Sequence, residues 1–76
     1  MKELVRFLAR QLVNNPGAVE VTETRGDAAT LLELRVAKED LGRVIGKQGR
    51  TAKSIRTILS AVAARKNIKV TLEIVE

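Results

Sequence analysis

The chain has 76 residues, a 45% apolar share drawn almost wholly from Leu, Ile, Val and Ala, and a net charge of +5. That length builds one domain, residues 1–76, with a single core that buries roughly 60% of the surface of the unfolded chain, and it excludes a second domain. With no Cys and no His, disulfides, thiol chemistry, the usual zinc and haem ligands and the commonest general base are excluded, so no cofactor and no metal site is expected.

Met1 to Arg6 mix charges into their apolar positions, unlike a signal peptide, and no apolar run approaches the ~20 residues of a membrane span. A cytoplasmic protein with no membrane span is the expectation. The segment from Leu41 to Leu72 holds eight of the fourteen basic residues and none of the nine acids, so it stands at +8 and the remainder at −3. Such asymmetry points to a cationic surface facing a polyanion, the bland alternative being a solvated basic face.

Residues 2 to 13 form an amphipathic helix by pattern, with Leu4, Val5, Leu8 and Leu12 on one stripe and Lys2, Arg6 and Arg10 on another. Phe7, the one aromatic residue, flanks the apolar stripe and is assigned to the core. Asn14-Asn15-Pro16-Gly17 stops the helix: the residue before proline leaves the helical region, and Asn and Gly accept a left-handed cap. Ala18 to Thr24 and Thr30 to Ala37 alternate as strands around a turn at Arg25 to Ala29, with Leu32, Leu34 and Val36 facing one way and Leu31, Glu33 and Arg35 the other. Lys38 to Ile45 is a short helix with Glu39 and Asp40 at the positive end of its dipole. As an acid/base couple those two carboxylates point in different directions and have no nucleophile beside them. From Arg50 or Thr51 to Lys66 the positions Ala52, Ile55, Ile58, Leu59 and Val62 repeat helically, with Asn67 able to take the left-handed cap. Ile68 to Ile74 alternates as a last strand.

The order helix, strand, strand, helix, loop, helix, strand gives an α+β fold in which a hairpin pair is antiparallel and a helical crossover lets strand two and the last strand run parallel. The expected architecture is a mixed three-stranded sheet with three helices on one face.

The loop Gly46-Lys47-Gln48-Gly49 carries the chemistry. It fails the Walker pattern, because Gly42 is one residue too close to Gly46-Lys47 and Gln48 stands where the magnesium-binding hydroxyl belongs, and G-x-G-x-x-G is absent. No nucleotide-binding enzyme and no small-molecule substrate is therefore expected. What remains is G-x-x-G between two helices, which clamps the backbone of about four nucleotides. Val44-Ile45-Gly46-Lys47-Gln48-Gly49 resembles the signature of the KH domain, and the helix-first order resembles its type II form across essentially the whole chain. The run Gly46 to Arg56 is similar to the small stand-alone bacterial KH proteins of the KhpA type. Ala52 departs from the general KH pattern, which has a bulky aliphatic residue there.

The resemblance implies a non-enzymatic RNA chaperone that binds single-stranded RNA, pairs with itself or with a larger RNA-binding partner of the KhpB type, and is tied to cell elongation and envelope homeostasis. On the residues themselves, Gly46 and Gly49 permit close approach of a phosphate, Lys47 meets it as a point charge, and Gln48 offers an amide. Arg50 and Lys53 extend the cationic track, with Arg43 and Arg56 as second-rank contacts. Bases would be met in a groove between the short helix, the loop helix and strand two, by Val44, Ile45, Ile55 and the Leu34 to Val36 segment, each also an ordinary core candidate. With Phe7 in the core there is no aromatic stacking platform, so binding is expected to be weak, salt-sensitive and loosely selective. The alternative function is a dimerisation or protein-interaction module with a vestigial loop, using Leu31, or Ala61 and Ala64 on the long helix. Gly42 is expected to be a packing position inside the short helix rather than a ligand contact.

Overall fold

The computed structural model describes all residues, 1–76. Its elements are α1 (Lys2–Leu12), β1 (Glu20–Arg25), β2 (Thr30–Arg35), α2 (Leu41–Ile45), α3 (Arg50–Arg65) and β3 (Val70–Ile74), with short 3-10 turns at Pro16–Ala18, Lys38–Asp40 and Lys47–Gly49. The sheet order is β1-β2-β3. β1 and β2 are antiparallel with Val21 opposite Leu34, and β2 and β3 are parallel with Leu32 opposite Leu72. This is the mixed three-stranded sheet and helix-first order that the sequence implies.

Period-2 alternation decides which face of the sheet is covered. Val21, Leu32, Leu34 and Leu72 are buried, while Thr22, Arg35, Thr71 and Glu73 between them are exposed. All three helices therefore sit over one face, and their contribution to the core is Val5 and Ala9 from α1, Val44 from α2 and Ile55 and Leu59 from α3.

Helix α1 differs from its sequence reading at two places. Phe7 is 59% exposed, and Ala9 is buried in its stead. At 100° per residue Phe7 lies about 200° from Val5, on the opposite face, whereas Ala9 lies within about 40° of it. The helix also ends without a left-handed cap: Val13 turns to an extended conformation, and the backbone N–H groups of Asn14 and Asn15 donate to the Asp40 carboxylate at N···O distances of 3.1 and 3.0 Å. Asp40 is 1% exposed and has turned inward to serve as this acceptor. It thereby ties the α1–β1 connection to the start of α2.

The α3 terminus follows the sequence closely. Asn67 adopts φ +57°, the Ile68 N–H donates to the Ala63 carbonyl and the Asn67 N–H to the Ala64 carbonyl, which together form a Schellman cap. Ile58 and Ile68, expected on apolar faces, remain 42% and 43% exposed. No helix is long and apolar enough to cross a membrane.

Candidate nucleic-acid interface

Helix α2 runs for 5 residues and is stopped by Gly46, whose N–H donates to the Gly42 carbonyl at 2.8 Å. Gly46 has φ 78° and ψ 170°, a backbone state open essentially to glycine alone. One 3-10 turn follows, closed by the Gly49 N–H on the Gly46 carbonyl at 3.1 Å, and α3 starts at Arg50. Within that turn Gln48 (φ 58°, ψ 25°) and Gly49 (φ 75°, ψ 11°) are both left-handed. Three of the four loop residues thus hold positive φ, which folds the backbone tightly enough to join two helices with no connecting coil.

The two glycines have different reasons to be there. A Cβ on Gly46 would stand 2.6 Å from Thr51 Cβ and 2.8 Å from its backbone nitrogen, so the first turn of α3 rests directly on this residue. A Cβ on Gly49 would meet nothing within 4 Å. Of the two, only Gly49 faces open space, and only there does the lack of a side chain leave the backbone approachable from outside. Gly42 is likewise open, since a Cβ there would also meet nothing within 4 Å, so it is exposed surface and not the packing position expected of it.

Lys47, Gln48, Arg50 and Lys53 are all exposed around this turn. The ion pairs of the molecule are Arg6 with Glu3, Arg25 with Glu23 and Arg43 with Asp40, so Lys47, Arg50 and Lys53 carry uncompensated charge. Helix α3 has no side-chain cap at its N-terminus, and its positive dipole end adds to the same potential. Arg43 is tethered, its Nε 3.6 Å from the buried Asp40 Oδ1. Arg65, Lys66 and Lys69 lie at or beyond the other end of α3, roughly 22 Å along a helix rising 1.5 Å per residue. The acid-free segment is therefore two cationic ends and not one continuous surface.

Val44 and Ile55 are 0% and 4% exposed members of the core and have no surface to offer a base, because both point under the helices toward the sheet. Ile45 is half-buried. The groove that continues from the loop is also bordered differently from expectation. β2 is the central strand, with Leu34 fully buried, whereas β3 is the edge strand beside α3. Between α3 and β3 lies a groove of ≈ 180 Å³ lined by Arg56, Leu59, Ser60, Val70, Thr71 and Leu72. Arg56 is not simply solvated: its Nε and Nη2 both donate to the Leu72 carbonyl oxygen, at 3.2 and 3.1 Å. Ala52, where the general pattern has a larger residue, is 4% exposed in the first turn of α3. No group of three or more acidic side chains that could hold a metal ion is present.

A family model described as the KH domain of KhpA/KhpB matches residues 2–74. The chain is 52% identical over 75 residues to the RNA-binding protein KhpA of Clostridium perfringens, covering 99% of this chain and 100% of that protein. It is 49% identical over 76 residues to the RNA-binding protein KhpA of Chlamydia trachomatis, covering 100% of this chain and 97% of the relative. For the RNA-binding protein KhpA of Treponema pallidum the figures are 48% over 75 residues, 99% and 94%. Helix order, sheet, glycine loop and near full-length similarity agree, and this chain belongs to the KhpA/KhpB family of KH domains.

Proposed function

We propose that this protein binds single-stranded RNA, holding the sugar–phosphate backbone of about four nucleotides against the Gly46–Gly49 turn. The observation that carries this reading is the coincidence of an open Gly49 backbone with three unpaired cations, Lys47, Arg50 and Lys53, at the uncapped N-terminus of α3. Backbone approach and point charges at one place suit a phosphate chain, and the absence of any acid between Leu41 and Leu72 keeps that field unopposed. The names of the relatives support RNA as the polyanion. The role is non-enzymatic, that of an RNA chaperone in the cytoplasm, working as a homodimer or with a larger KhpB-type RNA-binding protein in cell elongation and envelope homeostasis.

A second reading, a protein-interaction module with a vestigial loop, is favoured by one observation: Ile58 is 42% exposed on α3, with exposed Ala61 one turn further on. The two are separable. Gly49→Asp places a residue that tolerates the left-handed region into open space, so the fold survives while a negative charge enters the loop. In anisotropy titrations of a short unstructured RNA at low salt, Gly49→Asp and Lys47→Asp should each weaken binding at least about tenfold, with the oligomeric state seen by sedimentation unchanged. Unchanged RNA affinity removes the loop from the mechanism, and Ile58→Asp that alters assembly while loop variants bind RNA normally establishes the second reading instead.

A further inference from the structure

Strands β2 and β3 run parallel and part company at their carboxyl ends. After Arg35 the chain leaves the sheet through Val36 and Ala37 toward α2, whereas β3 stays alongside β2 far enough for the Val75 N–H to donate to the Leu34 carbonyl at 2.8 Å. The divergence opens a crevice, as the carboxyl ends of parallel strands commonly do. Its volume is ≈ 470 Å³, against ≈ 180 Å³ for the α3–β3 groove, and the two share no lining residue. Arg35, Val36, Lys38, Leu41, Val75 and Glu76 line it, so it also stands apart from the Gly46–Gly49 turn.

Three kinds of side chain meet in this crevice. Val36, Leu41 and Val75 are half-buried and supply an aliphatic floor. Arg35 and Lys38 are exposed and belong to none of the ion pairs of the molecule, although Arg35 lies opposite Glu20 in the strand register. Glu76 adds a carboxylate, which accepts hydrogen bonds and donates none. Two free cations beside an aliphatic floor suit a ligand with a strongly anionic end and a flat, weakly polar body. A phosphate monoester carries about two negative charges at pH 7, roughly twice the charge of a phosphodiester inside an RNA chain, and so matches the pair of cations better than an RNA backbone does. The volume is that of a small-molecule site, and the apolar lining is too short to sheathe a lipid tail.

We propose that this crevice is a binding site for a free nucleoside monophosphate, with Arg35 and Lys38 on the phosphate, Glu76 accepting from the ribose hydroxyls, and the base lying on Val36, Leu41 and Val75. Charge-assisted hydrogen bonds hold one end, and apolar contact holds the other. The assignment does not rest on the RNA reading of the Gly46–Gly49 turn. The ligand nevertheless sits against the helix that leads into that turn, since Leu41 is the first residue of α2 and the neighbouring Gly42 carbonyl accepts the Gly46 N–H.

The probe is adenosine monophosphate, titrated at low salt and near neutral pH into the isotopically labelled full chain and followed by NMR of the backbone amides. Saturable shifts centred on Val36, Leu41 and Val75 are expected. Arg35→Ala and Lys38→Ala change exposed side chains, and each should weaken adenosine monophosphate at least about fivefold while the urea midpoint stays in place. Ribose phosphate, which lacks the base, should bind at least about fivefold more weakly than the nucleotide. Lys47→Asp should leave the nucleotide affinity within about twofold, because Lys47 lies outside the crevice. Absence of saturable binding, equal affinities for inorganic phosphate and the nucleotide, or shifts confined to residues 46–53 that vanish with Lys47→Asp overturn the proposal. A terminally phosphorylated RNA that shifts Val36, Leu41 and Val75 where adenosine monophosphate does not would give the crevice to an RNA end and overturn the free nucleotide.

Discussion

Gly46 and Gly49 are the same residue type three positions apart, yet they answer to different forces. Gly46 is required by packing, because Thr51 occupies the space its side chain would need and its φ/ψ pair admits little else. For folding, Gly49 is required only by its left-handed backbone. Alanine should therefore separate them. Gly46→Ala is expected to lose about 3 kcal/mol or more of stability, from strain and from the displaced α3 turn, while Gly49→Ala loses about 1–2 kcal/mol. Urea denaturation of the two variants checks the difference. Gln48 bears a similar left-handed cost without being glycine, which places strain at the one turn proposed to touch ligand.

At the scale of elements, α2 has too few residues to hold itself in place. With 5 residues it lies far below the length at which a helix is stable alone, so tertiary contacts fix it. Val44 anchors it in the core, and Asp40 anchors its start to the end of α1. Asp40→Ala leaves the Asn14 and Asn15 N–H groups without their acceptor and frees Arg43, and should cost roughly 2–3 kcal/mol in a thermal or urea unfolding experiment. Much of this layer is legible in the sequence. Alternation at Leu32 and Leu34, the helical repeat through Ile55 and Leu59, and Asn67 as a left-handed cap are all local signals, and the structure realises them. Asp40 is legible only as a dipole partner, because the donors it accepts lie 25 and 26 residues away and no local pattern encodes them. The same holds for Arg56 on Leu72, which depends on β3 being an edge strand, a property of the assembled sheet. Phe7 departs from expectation for a different reason: size and hydrophobicity suggest core, but helical phase puts the smaller Ala9 there.

Over the whole molecule, charge is divided by architecture. The uncovered face of the sheet carries Glu20, Glu33 and Glu73 against Arg35, with Glu33 and Glu73 side by side in register and Glu20 opposite Arg35, while Lys47, Arg50, Lys53 and Arg56 cluster where α3 begins. On the proposed reading, this division of charge favours approach of a polyanion at the loop over the net-negative sheet face. The central claim, that Lys47, Arg50 and Lys53 neutralise RNA phosphates at the Gly46–Gly49 turn, is tested most directly by the salt dependence of binding to a short unstructured RNA. For three phosphates on a single strand the slope of log K against log salt should be about −2, and Lys47→Ala should make it shallower by about 0.7. No binding at low salt, or a slope that Lys47→Ala leaves unchanged, would contradict it.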